Sequence, residues 1–237
     1  MNAADFRFQL EQDLSWRQEE LRLLRNQISH LKRTRDKKIY CKSLVVMLYA
    51  HFEGFCKTAF LTYVDVINTE GLDISKVNEY IAAASLEDVI LAVGNPEKKC
   101  NFFSDSWPKD LKKFHRHVCF IQELDNLLNR QVRISHALIE EESNLRPRVL
   151  QRILYRLGLP RENFDAHEGP IHNLIQLRND FSHGHYVSGV DEDRYNILES
   201  YIYNIMSELM ITLTQAVADG SYLKVRRSDG ISACTSE

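Results

Sequence analysis

Apolar residues recur at helical spacing over most of this chain. Between residues 4 and 35, Phe8, Leu14, Leu21, Leu24, Ile28 and Leu31 mark one stripe, with Glu and Arg between them. The spacing predicts a long amphipathic first helix. The basic run Lys32–Lys38, "KRTRDKK", is its end or the turn after it. That run reads either as a solvated helix terminus or as a local patch facing RNA. From Ile39 to Asn68 apolar side chains cover nearly every side, the pattern of a buried central helix.

The pattern loosens over residues 69–145. A helical fragment fits around Lys76–Ala84, and "LEDVILAVG" forms a short helix ending at Gly94. "NPEKKCNFFSDSWPKD" reads as an irregular loop in which Asp105 or Ser106 could cap the next helix. "ELDNLLNRQVRISHALIEEES" holds one or two helices. Periodicity then returns. "RPRVLQRILYRLGLP" is a short amphipathic helix with a stop at Gly158–Pro160. Pro170 suits the first position of a helix over "PIHNLIQLRNDFSHG", with Gly184 closing it. A long last helix runs from Arg194 to Ala218, and residues 219–237 are expected to fray. The expected architecture is all-α: one domain, core helices at about 4–68 and 146–218, and an insertion at about 69–145.

Composition agrees. Only 9 Gly and 5 Pro in 237 residues leave little turn chemistry, which favours long helices over a many-stranded sheet. Net charge is −3 and the pI about 6.3, so no global basic field recruits nucleic acid and any RNA contact must be local. Cys41, Cys56, Cys100, Cys119 and Cys234 are scattered without a CxxC pair, which argues against a zinc site or disulfide framework and suits the cytoplasm. The N-terminal "MNAADFRFQL" has no signal-peptide core, and no run of eighteen apolar residues predicts a membrane span.

The chemistry concentrates in "LRNDFSHGHY", Leu177–Tyr186. At about 100° per residue, His172, Gln176, Asn179 and His183 fall in one narrow sector, opposite Ile171, Leu174, Leu177 and Phe181. Arg178 lies between Leu174 and Ile175, at the edge of the apolar sector. A guanidinium there needs a carboxylate, a phosphate or carbonyls, and nothing in the local sequence supplies one. His183 sits in the last turn, where the helix dipole attracts positive charge. RNA cleavage by its own 2′-OH needs little more: a base for that hydroxyl, a cation for the phosphorane, and an acid for the leaving 5′-oxygen. In such a scheme Arg178 holds phosphate oxygens, His183 moves the proton, and Asn179 positions the phosphate or the imidazole.

"RNDFSH" resembles the R-x(4–6)-H signature of the HEPN superfamily, with a polar residue directly after the Arg. "LYAHFEGFCKTAFLTYVDVI" is similar to the first core helix of the MAE-type HEPN-like nucleases, and "RNDFSHGH" stands where that branch carries an "RNxIAHG"-like segment. Phe181-Ser182 replaces the commoner Ile-Ala pair, and His185 follows the Gly. The resemblance implies a HEPN-like helical bundle that forms a homodimer through its motif helices. It implies a metal-independent endoribonuclease, a toxin–antitoxin or anti-phage effector, with two motif copies meeting in a cleft. The partners it implies are RNA and an antitoxin protein.

Other readings stay beside this one. A helix-capping His with a structural Arg salt bridge would leave a catalytically inactive RNA- or protein-binding module. His183 and His185 form an H-x-H pair that could bind metal in a hydrolase, but no Cys or carboxylate cluster supports it, so no metal and no cofactor are expected. His172, Ser182 and His185 are supporting or substrate-binding candidates. Glu53 either pairs with Lys57 at i,i+4 or fixes Arg178 or His183. Tyr49, Phe52, Phe55 and Phe60 read as core.

Overall fold

Asn2 starts the first helix: its side chain accepts the Asp5 backbone N–H at 2.9 Å. Helix α1, Ala3–Asn26, then buries Phe6, Leu10, Leu14, Arg17 and Leu21, which advance by four, four, three and four. Phe8, placed on the stripe from sequence, is 62% exposed. It lies two residues from Phe6, about 200° around the helix, and so faces water. The helix expected to reach residue 35 is also cut short. A 3₁₀ turn, Gln27–His30, follows α1, and α2 begins at Thr34. Buried Ile28 pins the turn, and the Tyr40 hydroxyl donates at 3.0 Å to the Leu24 carbonyl, which also accepts the Gln27 N–H at the end of α1. Lys32 and Arg33 thus lie in the link, with the rest of the basic run in the first turns of α2.

The structure is a computed structural model and describes residues 1–104, 107–142, 144–183 and 190–225. Helix α2, Thr34–Thr69, is its centre, with sixteen buried residues distributed around it. It packs against α1, against α9 (Glu168–Ser182) and against α10 (Glu192–Asp219). By length and composition α2 alone among the described helices is long and apolar enough to cross a membrane, where the sequence predicted no span; 56% of its most apolar stretch is buried inside the bundle. Gly54 of α2 lies under the Arg17 side chain of α1. A Cβ there would lie 2.6 Å from Arg17 Nη1. The guanidinium is held over the spot by Asp13 at 2.7 Å and by the Trp16 ring.

The segment from 70 to 145 consists of short elements. A 3₁₀ turn at Ile74–Lys76 is followed by α3 (Glu79–Ser85), α4 (Glu87–Gly94), α5 (Lys109–Gln122), α6 (Leu124–Leu128) and α7 (Ala137–Glu140). The sequence reading assigns no helix to residues 109–122; α5 forms there, with its periodic residues Leu111, Phe114, Val118 and Ile121 facing outward. Its inward face carries Arg116, fully buried, which donates to the carbonyls of Ala92, Asn95 and Lys98 and closes the loop after α4. Asp105 and Ser106, the expected caps, lie outside the described residues; the residue at the cap position of α5 is Pro108.

Helix α8, Pro147–Arg156, ends at Gly158, whose φ of +67° suits glycine. A 3₁₀ turn, Glu162–His167, leads into α9, so Pro170 is the third residue of that helix rather than the first. Both positions lie in the first turn, where the missing N–H costs nothing. Asp191 caps α10 by accepting the Arg194 N–H at 2.9 Å. The chain past α10 is docked at first rather than frayed. Tyr222 is buried, Asn78 N–H donates to its carbonyl at 2.9 Å, and Lys224 N–H donates to Lys76 O. The ten α-helices and the absence of any extended strand among the described residues make the fold an all-α bundle.

One polar network stitches the bundle. Glu199 of α10 is 3% exposed and takes the Arg25 guanidinium of α1. Its Oε1 also accepts the Tyr195 hydroxyl at 3.0 Å and the Tyr203 hydroxyl at 3.4 Å. Burial first, and the Glu199 charge second, push both phenols well above the ordinary tyrosine range.

Candidate active site

Helix α9 presents the two faces that its spacing predicts. Ile171, Leu174, Ile175 and Leu177 are buried against the bundle, while His172 and Gln176 are exposed and Asn179 half-buried. His183 is the C-terminal cap residue; its backbone N–H bonds to the Asn179 carbonyl at 3.0 Å and its side chain is exposed. Ser182 is exposed beside it. Gly184 and His185 lie outside the described residues.

Arg178 does not reach a carboxylate among the described residues. Its guanidinium carbon lies 4.5 Å from the centre of the Tyr49 ring on α2, and Nη1 donates to Asn179 Oδ1 at 2.9 Å. Both partners are neutral. They orient the cation without cancelling its charge. Tyr49, which the sequence pattern places in the core, is 2% exposed, yet it is also the platform under Arg178. Its hydroxyl accepts the Leu145 N–H at 3.2 Å, and the Glu53 carboxylate lies near enough to act on it. Burial, then Glu53, raise the phenol above its ordinary range, so it stays protonated.

Glu53 therefore meets Arg178 only through Tyr49. Its charge is answered by Lys57, Nζ to Oε1 at 3.1 Å, one helical turn along. Direct fixing of Arg178 by Glu53 is not what the side chains do. Further along the same pair of helices, the Lys42 ammonium lies 5.3 Å from the centre of the Phe181 ring. Helix α2 thus contributes Tyr49 and Lys42 to the end of α9 that carries Arg178 and His183. The signal for Tyr49 is its seven-residue offset from Lys42, two helical turns on one face.

The polar stripe of α9 also forms one wall of an open groove of about 600 Å³. His172, Gln176, Asn179, Asp180 and Glu168 line it from α9, and Arg146, Pro147 and Arg148 from the start of α8. Sequence reading missed the two arginines. The available sign was "RPR", a pair of cations flanking the proline that opens a helix.

Among the described residues no group of three or more His, Cys, Asp or Glu could hold a metal ion. Cys41 and Cys56 are buried, and burial raises both thiols above their ordinary range. Neither has the thiolate character of a nucleophile. The arrangement can bind and polarise an anion beside a histidine.

Comparison with known proteins returns one family match. The model described as HEPN_MAE_28990-like HEPN covers residues 6–222, which includes the whole Arg178–His183 segment and nearly all of the helical bundle. No curated protein and no solved structure shows significant similarity.

Proposed function

Because the chain belongs to the HEPN_MAE_28990-like HEPN family, whose members are nuclease-like or RNA-binding modules, we propose that it is a metal-independent endoribonuclease. The RNA 2′-OH attacks the adjacent phosphorus. The 2′-oxygen loses its proton, the P–O5′ bond breaks, and the leaving 5′-oxygen gains a proton. The products are a 2′,3′-cyclic phosphate and a 5′-hydroxyl. His183 acts as general base or general acid. Arg178 holds the non-bridging oxygens of the phosphorane, and Asn179 keeps the guanidinium aimed. A second copy, paired through α9, brings a second set of the same groups to the scissile bond. A toxin or anti-phage effector restrained by an antitoxin protein is the role that suits such an activity.

The observation that carries this reading is the state of Arg178. It is half-buried, oriented by a ring and an amide, and has no carboxylate partner among the described residues. A structural arginine at that depth would be expected to pair, as Arg17 and Arg25 do.

The test is incubation of the purified protein with total tRNA and defined oligonucleotides in EDTA, with the new ends mapped. Cyclic phosphate at the cut, lost in His183→Ala and in Arg178→Ala, supports the proposal. Equal cleavage by His183→Ala and the parent overturns it. RNA binding without cleavage assigns the chain to the inactive, binding-only branch instead.

A further inference from the structure

The groove beside α9 is within the size range of ligand clefts, roughly 300–1,000 Å³. It is continuous with the Arg178 site, because Asn179 lines it and also accepts the Arg178 hydrogen bond at 2.9 Å. On its far wall stand Arg146 and Arg148. Both are exposed, and among the described residues neither guanidinium makes an ion pair or hydrogen bond. Glu168 and Asp180 stand on the α9 wall of the same groove.

The placement of these cations works against their own helix. Arg146 is the N-terminal cap residue of α8 and Arg148 its second helical position. Cations are disfavoured there, because the helix dipole already makes that end positive. Two guanidiniums in such a place weaken the helix start rather than support it. They do sum with the local field to draw an anion onto one wall of the groove. The opposite wall offers the His172 imidazole and the Gln176 amide, which hydrogen-bond neutral groups such as sugar hydroxyls and base edges. The carboxylates of Glu168 and Asp180 keep phosphate off the α9 side.

We infer that this groove is a binding subsite for the RNA strand flanking the scissile bond, with Arg146 and Arg148 on backbone phosphates and His172 and Gln176 on the adjoining nucleoside. The inference rests on the ribonuclease reading for its ligand, and it adds residues outside the Arg178–His183 motif. It also places two cations together on one wall of the groove, a local source of positive charge in a chain of net charge −3.

The test uses full-length protein, a fluorescein-labelled single-stranded RNA and EDTA, with anisotropy titrations from low to moderate salt. Binding is compared in the His183→Ala background, so that the RNA stays intact, with and without Arg146→Ala/Arg148→Ala. The double variant should weaken binding at least tenfold. It should also flatten the plot of log affinity against log salt by about 1.4, as expected for two lost phosphate contacts on a single strand. Arg146→Lys/Arg148→Lys should retain the salt slope and lose part of the affinity, because charge survives and bidentate geometry does not. Circular dichroism checks that each variant is folded. Unchanged affinity and slope in the alanine variant overturn the inference even when the parent cleaves RNA. Arg-dependent binding by a parent that never cleaves supports it while overturning the nuclease reading. Arg-dependent capture of poly-glutamate with an unaltered RNA slope marks an acidic-protein site and overturns it.

Discussion

Two arginines of the bundle are treated in opposite ways. Arg25 of α1 meets a buried carboxylate, Glu199, which also accepts from two tyrosines. Arg178 of α9 meets an aromatic face and a neutral amide. The first arrangement cancels charge where α1 and α10 pack; leaving Glu199 alone there would bury an uncompensated anion. The second keeps a full positive charge, aimed and half-shielded from water. The contrast separates a cation that holds helices together from one kept ready for an external anion.

Loss of cleavage is the largest expected break in that comparison. Arg178→Ala or His183→Ala should each reduce the initial rate on an oligonucleotide by roughly 10²–10⁴-fold. The thermal midpoint of each should stay close to that of the parent, since His183 is exposed and Arg178 has no ion pair among the described residues. A large drop in the midpoint of Arg178→Ala would make Arg178 a structural arginine like Arg25.

Glu199→Ala should do the reverse. It strands Arg25, Tyr195 and Tyr203, and the cost should lie toward the lower end of about 3–5 kcal/mol because Arg25 can still reach water. A urea titration reads this as a lower midpoint. Cleavage per folded molecule should not change, and a loss of specific activity would mean that the two arginines are coupled.

Gly54→Ala sharpens the comparison with a third arginine. The new methyl would stand 2.6 Å from Arg17 Nη1, so Arg17 must shift off Asp13 or α1 must move. About 1–2 kcal/mol should be lost. In an Arg17→Ala background the sign should change, because Ala is better than Gly inside a helix by roughly 0.5–1 kcal/mol.

The smallest effect concerns pH. Burial holds the His51 imidazole below its ordinary value, against the pull of Glu20, whose Oε2 lies 3.2 Å from Nε2; Arg17 nearby also lowers it. The folded state therefore binds a proton less readily than the unfolded chain. His51 contributes stability above the unfolded histidine pKa of about 6.5 and loses it as pH falls below that value toward the folded one. Urea midpoints should decline on acidification through this window, and His51→Gln should make the decline shallower.

Much of the frame is legible in the residues alone. The all-round apolar run of α2, the amphipathic faces of α9 and the extent of α10 come from periodicity. So does the narrow stripe of His172, Gln176, Asn179 and His183, because a fifteen-residue helix has no other way to arrange them. The errors fell where two neighbours compete. Phe8 is as apolar as Phe6, and only the packing partner decides which one is covered. The periodic stripe of α5 points outward, and its inward face instead carries buried Arg116, which donates to the carbonyls of Ala92, Asn95 and Lys98.

The sequence by itself determined which residues could do chemistry and on which side of their own helix they stand. That is local information, set by the 3.6-residue turn and by the apolar face that must be buried. Tertiary structure alone decided what those residues meet. It put the Tyr49 ring under Arg178, turned Glu53 to Lys57, and set Arg146 and Arg148 across the groove from His172. Most of these contacts join positions far apart in the chain, and no periodicity within a single helix encodes the neighbour that packing brings to it.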